Sequence, residues 1–215
     1  MIHTAKPPAN EKRRTYSREE PEQRRQELIE ATFRVLADRG YAGAGVRAIA
    51  EEAGVSIGMI RHHFREKQAL IAETYRFVSQ QLQAASEQAA DAAGDDPHKR
   101  LHAYLMAGFK PPYLDQKYLT ARFILWGVAL TDPQVRQVHD ESYGAFRQRL
   151  KELISDVLPA TTDEKILKSL AATVSALTDG LWVDWILRPE ERDIEASVAH
   201  CMAMVAAAGR GTARR

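Results

Sequence analysis

Residues 54–70, "GVSIGMIRHHFREKQAL", decide the fold. Glycines stand at 54 and 58, histidines at 62 and 63, and cationic side chains lie on both sides of Phe64. A tight turn, a short cationic helix and an aromatic plug in so little chain meet the requirements of a helix-turn-helix. That motif needs a short support helix, a sharp corner and a second helix at a steep angle. Gly54 supplies the corner, because glycine tolerates the positive φ that such a turn demands. Val55 tucks under as an apolar pin, and Ser56 offers its hydroxyl to the free N–H groups of the next helix. Gly58 lets that helix approach a sugar-phosphate backbone. Ile57, Met59 and Arg61 are left to touch a groove, with His62 and His63 as DNA or capping contacts. Phe64 returns to the core. Lys67 opens a longer helix and adds a point charge to its positive dipole end, where phosphate binds.

The preceding "VRAIAEEAG", residues 46–54, reads as the support helix. Its buried face is Val46, Ile49, Ala50 and Ala53, and Arg47 is a further candidate DNA contact. Earlier still, Leu28, Thr32, Val35 and Leu36 fall at helical spacing between Pro21, which suits a first turn, and Gly40, which suits a stop. Residues 1–20 lack apolar periodicity and read as a disordered basic arm. Its Lys12-Arg13-Arg14 cluster is either a solvated tail or a reach into the minor groove.

Beyond Lys67 the long helix runs to about 92. Further helices are expected at about 97–109, 113–130, 133–158, 163–187 and 190–208. They are separated by "GDDP", Pro111-Pro112, Asp132-Pro133, "PATTD" and Arg188-Pro189. No alternating strand pattern occurs. The expectation is an all-α fold of about nine helices: a helix-turn-helix domain over 21–66 and a larger helical ligand-binding and dimerisation domain over 67–210.

Bulk properties narrow the classes. Residues 1–70 carry 13 Lys+Arg against 10 Asp+Glu, and the remainder 17 against 19, a basic head on a slightly acidic body. The single cysteine, Cys201, excludes an internal disulfide and a cysteine-based zinc site. The first twenty residues are polar and charged rather than a secretory signal, and the longest apolar run, "FILWGVAL", is far short of a membrane span. The expectation is a cytoplasmic protein with no membrane contact.

The string "VRAIAEEAGVSIGMIRHHFREKQALI" resembles the N-terminal domain of TetR-family transcriptional regulators. The family pattern is matched at Ile49-Ala50, Ala53 to Ser56, Gly58, Phe64, Lys67 and Leu70, with Gly40-Tyr41 where the family carries a Gly-Phe/Tyr pair. The resemblance covers about residues 24–71. This chain departs from it at Ala44-Gly45, where a hydroxyl residue is usual, and at Arg61 and His63, where tyrosine is common. Arg61 is free to meet phosphate or a guanine edge. A fainter likeness to the choline-responsive repressors of betaine synthesis is carried by "SIGMIRHHFREKQAL", residues 56–70, by the Trp126 segment leading to Asp132-Pro133 and by "LTDGLW", residues 177–182. The resemblance implies a homodimer on a palindromic DNA operator, released by a small-molecule effector, with repression as the default.

Such a regulator needs a cavity in its helical body. The candidate lining is Phe109, Tyr113, Tyr118, Phe123, Trp126, Tyr143, Phe146 and Trp182, with Asp179 or Asp184 as counter-charge. An aromatic cage with a carboxylate would suit a small cation. The alternative is that these rings are ordinary core. Two apolar stripes close the chain and are candidates for dimerisation, or for packing within one protomer. One comprises Leu170, Val174, Leu177, Leu181 and Trp185; the other comprises Ile194, Val198, Cys201, Met202 and Val205. His98 and His102 share a helix face but lack a third ligand nearby, so neither a metal nor another cofactor is expected. The other classes are a helical interaction protein and an all-α enzyme. The latter would need a convergent nucleophile, base and orienter, which the sequence does not present.

Overall fold

The computed structural model describes residues 19–189 and 193–212, and the basic cluster at 12–14 lies outside them. The described residues form nine helices and no strand: α1 Glu19–Gly43, α2 Val46–Glu52, α3 Ile57–His63, α4 Lys67–Ala92, α5 Pro97–Ala107, α6 Gln116–Ala129, α7 Pro133–Val157, α8 Glu164–Leu187 and α9 Ile194–Thr212. α1 is interrupted at Gly40, with φ 67° and ψ −179°, so the regular rod stops where the sequence places its end.

Most other boundaries are set by aspartate caps. Asp96, Asp115, Asp132 and Asp163 each accept hydrogen bonds from the first free N–H groups of α5, α6, α7 and α8. Proline follows directly in α5 and α7, where its missing N–H costs nothing. These caps correct the expected starts. α6 begins after Asp115 rather than at 113, and α9 begins at Ile194 after Asp193, whose carboxylate takes the Ala196 N–H at 2.9 Å. The expected positions 190–192 lie outside the described residues.

α1 packs on α2, α4 and α6, and α4 packs on α5 and α7, so the N-terminal helices and the larger body share α4 as a common wall. One hydrophobic cluster runs through both. It includes Leu28, Leu36, Ile49, Ile60, Phe64 and Leu70 at one end, and Tyr75, Leu101, Tyr104, Leu125, Leu150 and Ile154 at the other. Among the described residues α8 alone is long and apolar enough to cross a membrane, but Leu167, Val174 and Trp182 of that helix are buried in this core.

The corner before α3 depends on backbone geometry. Gly54 has φ 64°, and no atom lies within 4 Å of the position a Cβ would take, so substitution meets only the left-handed backbone penalty. Gly54→Ala is expected to lower stability by about 1–2 kcal/mol in urea denaturation, with no change in the denaturant slope.

Candidate functional site

The helix-turn-helix is built as a rigid corner with one wet face. Ser56 caps α3 by accepting the Met59 N–H at 3.3 Å, and Gly45 precedes α2 with no side-chain cap. Ile60 and Phe64 face inward, 2% and 4% exposed, while Ser56, Gly58, Met59, Arg61 and His62 are exposed. Ile57 and His63 are half-buried. A Cβ on Gly58 would meet only Ser56 Oγ, at 3.6 Å, so the protein itself has room for a side chain there.

Charge is distributed unevenly around this corner. Arg24, Arg25, Arg34 and Arg39 of α1 are each engaged with a glutamate. Arg47, Arg61 and Arg65 make no ion pair or hydrogen bond among the described residues, and all are exposed. The His63 imidazole is pushed below its ordinary pKa by burial first, and then by Coulombic repulsion from His62, Arg25 and Arg24. Lys67 stands at the first position of α4 with its ammonium 4.3 Å from the centre of the Tyr41 ring. Its pKa is lowered by desolvation.

A cavity of about 270 Å³ opens inside the body, walled by α4, α6, α7 and α8. Of the sequence candidates, Tyr143, Phe146, Asp179 and Trp182 line it. The other rings do not. Phe109 is buried behind Trp182, and Tyr113 packs edge-on to Tyr118 while donating its hydroxyl to the Gln81 carbonyl at 2.9 Å. Phe123 lies against the edge of Trp126. Asp184 lines the outward groove between α8 and α9 instead.

The sequence reading did not single out Tyr75, Arg76, Ser79, Gln83 or Arg122, all of which line the cavity. A readable signal existed in α6, where Tyr118, Arg122 and Trp126 recur every fourth residue and so share one face.

Hydrogen bonds fix much of the wall. The Tyr75 hydroxyl and His139 Nδ1 are 2.6 Å apart, and His139 stacks on Tyr143. Burial lowers the His139 pKa, which favours the neutral ring. The Tyr143 hydroxyl donates to Asp179 and accepts from Ser175 at 2.9 Å, and the Trp182 indole donates to the Gly108 carbonyl at 3.0 Å. Arg122, only 7% exposed, lies against two indoles, its guanidinium carbon 4.6 Å from the ring centre of Trp182 and 5.2 Å from that of Trp126.

The terminal stripes divide in the same way. Val174, Val198 and Val205 turn into the protomer's own core, whereas Cys201, though buried, lines the floor of the groove between α8 and α9. Leu170, Leu181, Trp185, Ile194 and Met202 are half-buried. The outward face carries Leu177 and Val183, 43% and 41% exposed, with Ala176, Gly180 and Met204 beside them.

Two family models match the chain: "Bacterial regulatory proteins, tetR family" over residues 28–74, and "BetI-type transcriptional repressor, C-terminal" over residues 97–210. The chain belongs to the TetR family of bacterial transcriptional regulators, with a BetI-type C-terminal region. The HTH-type transcriptional regulator BetI of Burkholderia mallei is 29% identical over 175 residues, 81% of this chain and 88% of that protein. A solved structure of a transcriptional regulator from Pseudomonas aeruginosa PAO1 is 37% identical, covers 94% of this chain and 97% of its own, and superposes with a TM-score of 0.82. A regulator from Saccharomonospora viridis, solved in complex with choline, shares the fold at 20% identity and a TM-score of 0.72, over 86% of this chain and 96% of its own.

The cavity carboxyl gives a pH test. Burial raises the Asp179 pKa from 3.8 to about 6, against the opposing pull of Arg122. The folded state therefore holds this proton more tightly than the unfolded chain, so stability falls as pH rises from about 4 to 6 and stays reduced above that. Asp179→Asn keeps an acceptor for Tyr143 and removes the penalty. It is expected to stabilise the fold by about 1–3 kcal/mol at pH 8 and by almost nothing at pH 4, read from denaturant melts at the two pH values.

Proposed function

We propose that the chain acts as a homodimeric repressor that places α3 of each protomer in successive major grooves of a palindromic operator and is released by a small molecule in the body cavity. The observation that carries the DNA reading is the exposed, unpaired set Arg47, Arg61 and Arg65 beside a helix-turn-helix whose neighbouring arginines are all engaged. Phosphates are the natural counter-charge for cations the protein leaves free, and the positive surroundings of His63 point the same way. Ser56, Ile57, Gly58, Met59, Arg61 and His62 face the groove in this reading, His63 lies at its edge, and Lys67 meets phosphate from the start of α4. A protein with this task works where the chromosome is, in the cytoplasm.

The proposed dimer forms through the outward face of α8 and α9. Leu177 and Val183 are large apolar side chains exposed beside a groove lined by Ala176, Gly180 and Met204, which suits a four-helix contact between two copies.

A chain of contacts supports coupling between cavity and DNA. Arg76 and Glu141, both lining the cavity, pair at 3.3 Å, and Arg76 also pairs with Glu73. Glu73 in turn holds Arg25 of α1 at 2.8 Å, and the Arg25 guanidinium lies 5.0 Å from the Phe64 ring that ends α3. A ligand that displaces Arg76 or Glu141 thus acts on the seat of the recognition helix. Its leverage is the difference of its affinities for the two states, typically about 1–3 kcal/mol.

An anisotropy titration with DNA from upstream of the chain's own gene tests the reading, with affinity expected to fall steeply with salt at about −0.9 log units per phosphate contacted. Absence of operator binding at low salt would overturn it. Gly58→Ala separates binding from folding. Stability is expected to rise by up to about 1 kcal/mol, since alanine is the better helix former, while operator affinity falls at least several-fold because the new methyl meets DNA. Leu177→Glu is expected to leave the melting temperature of the protomer nearly unchanged and to shift the protein to monomer in sedimentation velocity, with loss of operator binding.

A further inference from the structure

Beside the cavity lie buried donors with no hydrogen-bond partner among the described residues. Arg122 is 93% buried, and its Nε and Nη1 have no hydrogen-bond partner among the described residues. The indoles of Trp126 and Trp182 offer the guanidinium their ring faces and an N–H donor but no lone-pair acceptor, so neither satisfies those N–H groups. Native proteins rarely leave buried donors unpaired. Asp179 does not supply the partner: no ion pair joins it to Arg122, and it takes the Tyr143 hydroxyl instead. The aromatic cage is likewise taken, because the cation inside it is the protein's own.

We infer that the effector carries a carboxylate, and that Arg122, whose Nε and Nη1 have no surface open to the cavity in this structure, turns to receive it side-on through Nε and an Nη, with the rest of the molecule lying over Leu82 and Phe146. This rests on the cavity being the effector site. The guanidinium edge matches a carboxylate through two parallel N–H donors. Of the cations lining the cavity, Arg76 is held by Glu73 and Glu141, which leaves Arg122 as the one without an ion pair among the described residues, a single positive charge for a single negative one. The volume of about 270 Å³ admits a small molecule and not a long chain. A cationic ligand would be set against Arg122.

The test uses the full-length protein without DNA and a panel of small carboxylates, from acetate to hexanoate and benzoate. Each is paired with its neutral amide, and choline and benzylamine serve as cationic probes. Binding is read by calorimetry and by tryptophan fluorescence, to which the indoles around Arg122 should respond. At least one carboxylate is expected to bind ten-fold or more tightly than its amide, and the cations more weakly still. Arg122→Met should abolish that preference while melting at or above the wild-type temperature without ligand, since an unsatisfied buried cation has been removed. Arg122→Lys, which keeps the charge but loses the fork, should retain only part of the preference. The inference is overturned if no carboxylate outperforms its amide, if a cationic probe binds best, or if Arg122→Met keeps the preference. A carboxylate that binds through Arg122 yet leaves operator affinity unchanged would sink the regulatory reading and leave the ligand chemistry standing.

Discussion

The stiffness of one helix governs how this molecule can work. α4 is 26 residues long, and its backbone ladder makes it a rod of about 39 Å. Its first turn adjoins the recognition helix, where Leu70 and Ile71 are buried in the same cluster as Ile60 and Phe64. Its middle supplies Tyr75, Arg76, Ser79 and Gln83 to the cavity wall. A close-packed interior transmits displacement rather than absorbing it, so a shift of the cavity wall arrives at the DNA-facing end.

The second regularity is where the fold leaves its polar groups unanswered. Along α1 and α4 the arginines are matched to glutamates, and helix ends are closed by aspartates. Two departures coincide with the candidate sites: the exposed cations of the helix-turn-helix, and the buried guanidinium and carboxyl of the cavity. Folding alone gives no reason to keep either. Unmet charge held in a fixed place is what recognition of another molecule requires.

What could be read from the sequence follows from the range of the forces involved. The corner at Gly54, the Ser56 cap and the inward Phe64 are local, each set by residues within a few positions, and the structure places them as the chain reads. The cavity is non-local. Aromatics such as Phe109 and Tyr113 look eligible by type, but whether a ring faces a void or a neighbour depends on how four helices cross. The α8 and α9 stripes failed to separate for a related reason. Both helices are apolar on two sides, so periodicity cannot tell Val174, which is buried in the protomer, from Leu177, which is exposed. Arg122 was masked by its apolar surroundings, although its spacing from Tyr118 and Trp126 marked a shared face.

The direction of the switch follows from how α8 is used twice. Its inward side gives Asp179 and Trp182 to the cavity, and its outward side gives Leu177 and Val183 to the proposed contact with a second copy. Two-fold packing of α8 and α9 would hold that wall in place in both protomers. A ligand that draws the cavity closed therefore cannot pull α8 inward without breaking the dimer, and α4 lies across the cavity from it, outside the proposed contact. In the proposed switch the displacement would fall on α4, with Arg76 and Glu73 carrying it to Arg25 and Phe64. A stiff α4 would convert motion at Tyr75 into motion at Lys67, and the spacing of the two recognition helices in the proposed dimer would change while each kept its own fold.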